Sequence, residues 1–92
     1  MTEPSEKQLV ALARTGDAEA FGQLFSRVRE QLLATIRTRT GAALASTLDP
    51  EDVLQDTYVR ALRSISRFQW RGEGSAVRWM QGIASHLSLI HI

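Results

Sequence analysis

The stretch DPEDVLQDTYVRALRSISRFQWRGEGS, residues 49–75, decides how this chain is read. It opens as a helix start: Asp49 can accept from the first free N–H groups, and Pro50 sits where a missing N–H costs nothing. Glu51 and Asp52 add negative charge at the positive end of the helix dipole. Leu54, Tyr58, Leu62 and Ile65 recur every three or four residues, with Ala61 between them. The spacing predicts a helix over residues 50–66 with that stripe on a core. Asp52, Gln55, Asp56, Val59 and Arg63 share a second face. Two readings of this face stand. It is either a solvated face, with Asp56 to Arg60 as an ion pair worth about 0.2–0.5 kcal/mol, or a docking strip. A docking strip would be acidic at its N-terminal half and would account for Val59, an apolar residue that solvent does not require.

Upstream, Ser5 to Gln8 reads as a capping box ahead of a short helix carrying Leu9, Leu12 and Ala13. Gly16 ends that helix and Asp17 caps the next, which spans about residues 18–40 and is closed by Gly41. Phe21, Leu24, Phe25, Val28, Leu32 and Ile36 mark its core stripe, while Arg27, Arg29, Arg37 and Arg39 lie off it. Residues 42–48 are either the end of this helix or a connector. Downstream, Ser75 is the expected N-cap of a last helix, with Met80, Ile83, Ala84 and Leu87 inward and Arg78, Gln81, Ser85 and His86 outward. There is no strand pattern and no repeat. The expected fold is all-α, a compact bundle of about four helices, with a tail and first cap at 1–8, the domain at 9–87 and an atypical end at 88–92.

Ninety-two residues make one small domain of ordinary apolar content. Without cysteine there is neither a disulfide frame nor a thiolate metal site. The acidic N-terminus has no apolar run of the kind a signal peptide needs, and no segment approaches the roughly 20 apolar residues that span a bilayer. The expected location is cytoplasmic, with no membrane partner. A net charge of +1 is uninformative, but its distribution is not. Residues 49–56 hold four acids and no base, whereas from Thr57 onward there are five arginines against one acid, Glu73. An acidic patch beside a basic one fits two partner surfaces.

In the loop after the 50–66 helix, Phe68 and Trp70 alternate with Arg67 and Arg71, and Gly72 and Gly74 let backbone approach a ligand closely. Cations along phosphates and aromatics under bases are how single-stranded nucleic acid is held, at about 1–3 kcal/mol per stacked base. Equally, Phe68 and Trp70 can tuck the loop onto the core; the residues alone do not choose. Other chemistries fit poorly. Gly72 to Ser75 lacks the ending of a nucleotide-binding P-loop. His86 and His91 form a weak metal pair without a third ligand, so no metal or other cofactor is expected. The Glu51, Asp52 and Asp56 carboxylates have no histidine or nucleophile beside them, and no enzyme is expected.

Residues 49–61 resemble region 2 of the bacterial sigma factors of the extracytoplasmic-function (ECF) group. RFQWRGEGS, residues 67–75, and VRWMQGIA, residues 77–84, continue the likeness in the expected order, which extends over about residues 9–87. The resemblance implies a transcription-initiation factor whose Asp52, Gln55 and Asp56, with Val59 and Arg63 on the same face, meet the β′ clamp helices of the RNA polymerase core. Charge-assisted bonds from arginine or lysine on that partner would suit the strip. It also implies that Phe68, Trp70, Arg71, Gly72, Ser75 and Arg78, with neighbouring Arg67, lie near the non-template single strand of the −10 promoter element. Gln81, His86 and Trp79 extend that set; Trp79 either braces the helix on the core or wedges at the duplex edge. An anti-sigma factor is a possible further partner. Family members usually continue into a helix-turn-helix domain reading the −35 element. Here residues 88–92 replace the usual acid and arginines, and His86 stands where asparagine is usual. The competing reading is a small helical interaction module, an adaptor or polymerase-binding domain without DNA recognition.

Overall fold

Two local caps set the first helices. The Ser5 hydroxyl accepts the Gln8 N–H at 3.1 Å while the Gln8 side chain accepts the Ser5 N–H at 2.8 Å, opening α1 (Glu6–Arg14). Gly16, at φ +102°, turns the chain, and the Asp17 carboxylate accepts the Ala20 N–H at 3.0 Å at the start of α2 (Ala18–Leu44). The structure is a computed structural model that describes the backbone of residues 3–44 and 49–90 and the side chains of 3–38 and 49–87. The Asp49 carboxylate accepts the Glu51 N–H at 3.0 Å and starts α3 (Pro50–Ser64), which tightens into a 3-10 turn (Ile65–Arg67). After a loop comes α4 (Ser75–Ile90). Among the described residues all regular structure is helical, in four α-helices, as the periodicity predicts.

The 27 residues of α2 make a rod of about 40 Å, which sets the long dimension of a 44 × 25 × 21 Å molecule. This helix passes straight through Gly41, where the sequence reading ends it. Interior glycine costs only about 1 kcal/mol, and a long packed helix absorbs that. Of residues 42–48, for which helix end and connector are the two readings, 42–44 are therefore helical, and 45–48 lie outside the described residues, as do 91 and 92.

Each of the other helices packs on α2. Phe21, Leu24, Phe25, Val28, Leu32 and Ile36 are all buried, as their spacing predicts. They meet Leu9, Val10 and Ala13 from α1, Val53, Leu54 and Ala61 from α3, and Ala76, Met80, Ala84 and Leu87 from α4. Tyr58 stands edge-on to Phe21 and Phe25, with centroids 5.2 and 5.0 Å away. Such aromatic pairs contribute about 0.5–1.5 kcal/mol beyond their buried area.

Two apolar assignments need correction. Leu12 is exposed and Val10 takes the buried place beside Leu9. Leu62 is also exposed, while Val53 and Thr57 are wholly buried. The cause is position: α3 packs against both α2 and α4, so its buried arc is wide and centred on 53, 54, 57 and 61. Burying Thr57 leaves no polar group unmet, because its hydroxyl donates to the Val53 carbonyl at 2.7 Å. At the mouth of the α2–α3 seam, Arg29 Nη2 donates to both oxygens of Glu51, at 3.0 and 2.9 Å.

Candidate docking and nucleic-acid interfaces

Because the buried arc of α3 is centred on Val53, Thr57 and Ala61, the opposite face must be open. Asp52, Gln55, Asp56, Val59 and Arg63 are all exposed along it, and Val59 keeps 39% of its surface in solvent. The strip is a ridge between two depressions. On the α2 side, Asp52 and Gln55 border a cleft of about 350 Å³ with Phe25, Arg29 and Tyr58. On the α4 side, Asp56, Val59 and Arg63 border a groove of about 790 Å³ with Trp79, Ile83 and His86. Arg29 holds Glu51 to the first side, while the exposed Asp52 and, one turn further, Asp56 stand on the crest.

The loop is built by local hydrogen bonds. Its first residue, Phe68, donates its N–H to the Ile65 carbonyl at 3.1 Å and turns its ring inward. That ring is only 8% exposed and stacks on Trp79 with centroids 4.6 Å apart. Phe68 therefore offers a base only the edge it leaves at the cleft wall, and of the two readings its place is the core. Trp79, half-buried, braces α4 through the same stack.

Ser75 also differs from expectation. It is buried as the first residue of α4, and its hydroxyl accepts the Arg71 N–H at 3.1 Å. It ties the loop to the helix rather than capping the helix amides. The turn between them depends on Gly72 and Gly74, at φ +106° and +83°, values that side-chain-bearing residues rarely adopt. At Gly74 a Cβ would also come within 2.9 Å of the Arg78 guanidinium, which folds over the glycine.

What remains open is cationic. Arg67, Arg71 and Arg78, all exposed, surround a cleft of about 470 Å³ whose wall includes Phe68, Gln69, Ser75 and Trp79. Trp70, half-buried, is not part of that wall and turns toward α1 instead. Its indole Nε1–H donates to the Glu6 carboxylate at 2.7 Å, and the Lys7 ammonium lies 5.5 Å from its ring centre. Gly74 N–H donates to the same Glu6 oxygen at 3.2 Å.

Two outlying members of the sequence-derived set lie elsewhere. Gln81 turns toward α2 and donates its amide to the Thr35 hydroxyl at 3.1 Å. His86 is exposed on the α3–α4 groove with Asp56, Val59 and Arg63, and is not among the residues that line the arginine cleft. Sequence reasoning missed Glu6 and Gln69. Glu6 read only as part of a local capping box, and nothing along the chain signals a partner more than sixty residues away.

Among the described residues no group of three or more histidines or carboxylates can hold a metal, and His91 lies outside them. No helix among them is long and apolar enough to cross a membrane.

A four-helix unit with an acidic ridge on its third helix and an arginine cleft before its fourth is the arrangement that the sequence blocks foreshadow. The family described as Sigma-70 region 2 matches residues 24–92, and the chain belongs to it, within the ECF group of sigma factors. It is 32% identical over 84 residues to the ECF RNA polymerase sigma factor BldN of Streptomyces coelicolor, covering 91% of this chain and 30% of that protein. It is 35% identical over 80 residues to the ECF RNA polymerase sigma-E factor of Haemophilus influenzae, covering 87% and 39%. The chain thus spans about a third of the length of the curated relatives it matches. No solved structure gives a significant match.

Proposed function

We propose that this chain acts in transcription initiation as the part of a sigma factor that joins polymerase to melted promoter DNA. The carrying observation is the clustering of Arg67, Arg71 and Arg78 around one cleft, immediately beyond a helix that exposes Asp52, Gln55 and Asp56. The acidic ridge docks on basic side chains of the β′ clamp helices of the RNA polymerase core. Charge-assisted bonds set register there, and Val59 supplies the apolar contact. The cleft takes the phosphates of the non-template strand at the −10 element. With Phe68 buried, guanidinium contacts carry more of the affinity than base stacking does. This work calls for no catalytic group and is done in the cytoplasm.

Two binding measurements test the reading. Against an isolated β′ clamp-helix fragment, Asp52→Ala and Gln55→Ala should each weaken binding; parental affinity in both variants would remove the docking assignment. Against labelled single-stranded DNA, Arg71→Ala and Arg78→Ala should each lower affinity and reduce the slope of log affinity against log salt by about 0.7. An unchanged slope in both would remove the cleft from the nucleic-acid path.

A further inference from the structure

Glu6 does something its place in a capping box does not require. The box is complete with Ser5 and Gln8 alone. The Glu6 carboxylate instead leaves its own helix and accepts two donors from the far loop, Trp70 Nε1–H at 2.7 Å and Gly74 N–H at 3.2 Å, both through Oε2. These two donors bracket the segment that carries Arg71, and Gly74 is the residue over which the Arg78 guanidinium folds. The carboxylate is half-buried at this point, where charge-assisted bonds are about twice as strong as neutral ones. Within the loop itself, the Arg71 N–H to Ser75 hydroxyl bond and the Ser75 N–H to Gly72 carbonyl bond, both 3.1 Å, tie the segment to the start of α4, whereas Glu6 ties it to α1.

We infer that Glu6 is a positioning residue for single-stranded DNA capture: by gripping both ends of the 70–74 segment it holds Arg71 and Arg78 at the mouth of the cleft. The inference rests on the reading of the cleft as a nucleic-acid site. It also makes a prediction opposite in sign to simple electrostatics. Deleting an acid beside a polyanion site ordinarily tightens binding, because one repulsion is lost. Deleting Glu6 should weaken it, because the arginines lose their frame.

The experiment is fluorescence anisotropy of a short labelled single strand of randomised sequence, titrated with the 92-residue chain at a temperature where every variant is folded by circular dichroism. Glu6→Ala should weaken binding by about tenfold, the scale of one charge-assisted contact, and Glu6→Gln by less, since its carbonyl still accepts from the loop. Glu73→Gln, which removes an exposed acid from the same loop, should leave binding unchanged or tighter. Combined with Arg71→Ala, the Glu6→Ala loss should shrink, as for two residues acting through one contact. Glu6→Ala binding as tightly as the parent, or more tightly, overturns the inference while leaving the cleft in place. If Arg71→Ala and Arg78→Ala both bind like the parent, the cleft reading falls and this inference falls with it.

Discussion

Gly74 shows how much one missing methyl group decides. Its φ of +83° is strained for any L side chain, and the space a Cβ would need is held by Arg78. Gly72, at φ +106°, has the same backbone demand but open space around it. Alanine at either position should cost about 1–2 kcal/mol of stability in chemical denaturation. Only Gly74→Ala should also weaken single-stranded DNA binding, because only there must the guanidinium move. Thr57 makes the complementary point inside the core. Its hydroxyl bonds to a carbonyl that the helix backbone already satisfies. Thr57→Val should therefore change stability by less than about 1 kcal/mol, and Thr57→Ala, which leaves a void, by clearly more. The two melting midpoints, compared with the parent, check this.

At the level of the element, α3 separates what is written locally from what is not. Its start was legible, because an Asp-Pro pair followed by acids has few other uses. Asp49→Ala should cost about 0.5–2 kcal/mol through loss of the bond to Glu51 N–H, read as a lowered midpoint in urea. The outward strip was legible too, since five polar or isolated positions at helical spacing must share a face. The inward stripe was only half legible. Spacing alone favours Leu62 over Thr57 as a core residue, yet α3 packs on two neighbours and its buried arc is set by both. The same limit applies to the loop: the sequence offers two aromatics, and only packing decides that Phe68 belongs to Trp79 while Trp70 bonds to α1. In α2, by contrast, one long stripe against three partners leaves no choice, and every expected core residue is buried.

For the whole molecule, stability concentrates along α2. A domain of this length has about 5–14 kcal/mol in hand. Phe21 is completely buried and contacts both Phe25 and Tyr58, so Phe21→Ala should remove about 3–5 kcal/mol, a large share of that total. Its thermal transition should fall sharply or vanish. The Arg29–Glu51 fork should matter much less, since both side chains remain partly in water; Arg29→Ala should cost no more than about 1 kcal/mol beyond lost packing.

The Glu6–Trp70 bond joins groups 64 positions apart, whereas α2, α3 and α4 follow one another along the chain and can assemble early. Closing so long a span is entropically late work, so this clasp belongs to the final descent rather than to the rate-limiting barrier. Stopped-flow kinetics on Glu6→Ala should then show refolding as fast as the parent's and unfolding accelerated by about fivefold for each kcal/mol lost. The Glu6 carboxylate is then a latch fastened last and released first, on a helix whose apolar face is already seated against its neighbour α2.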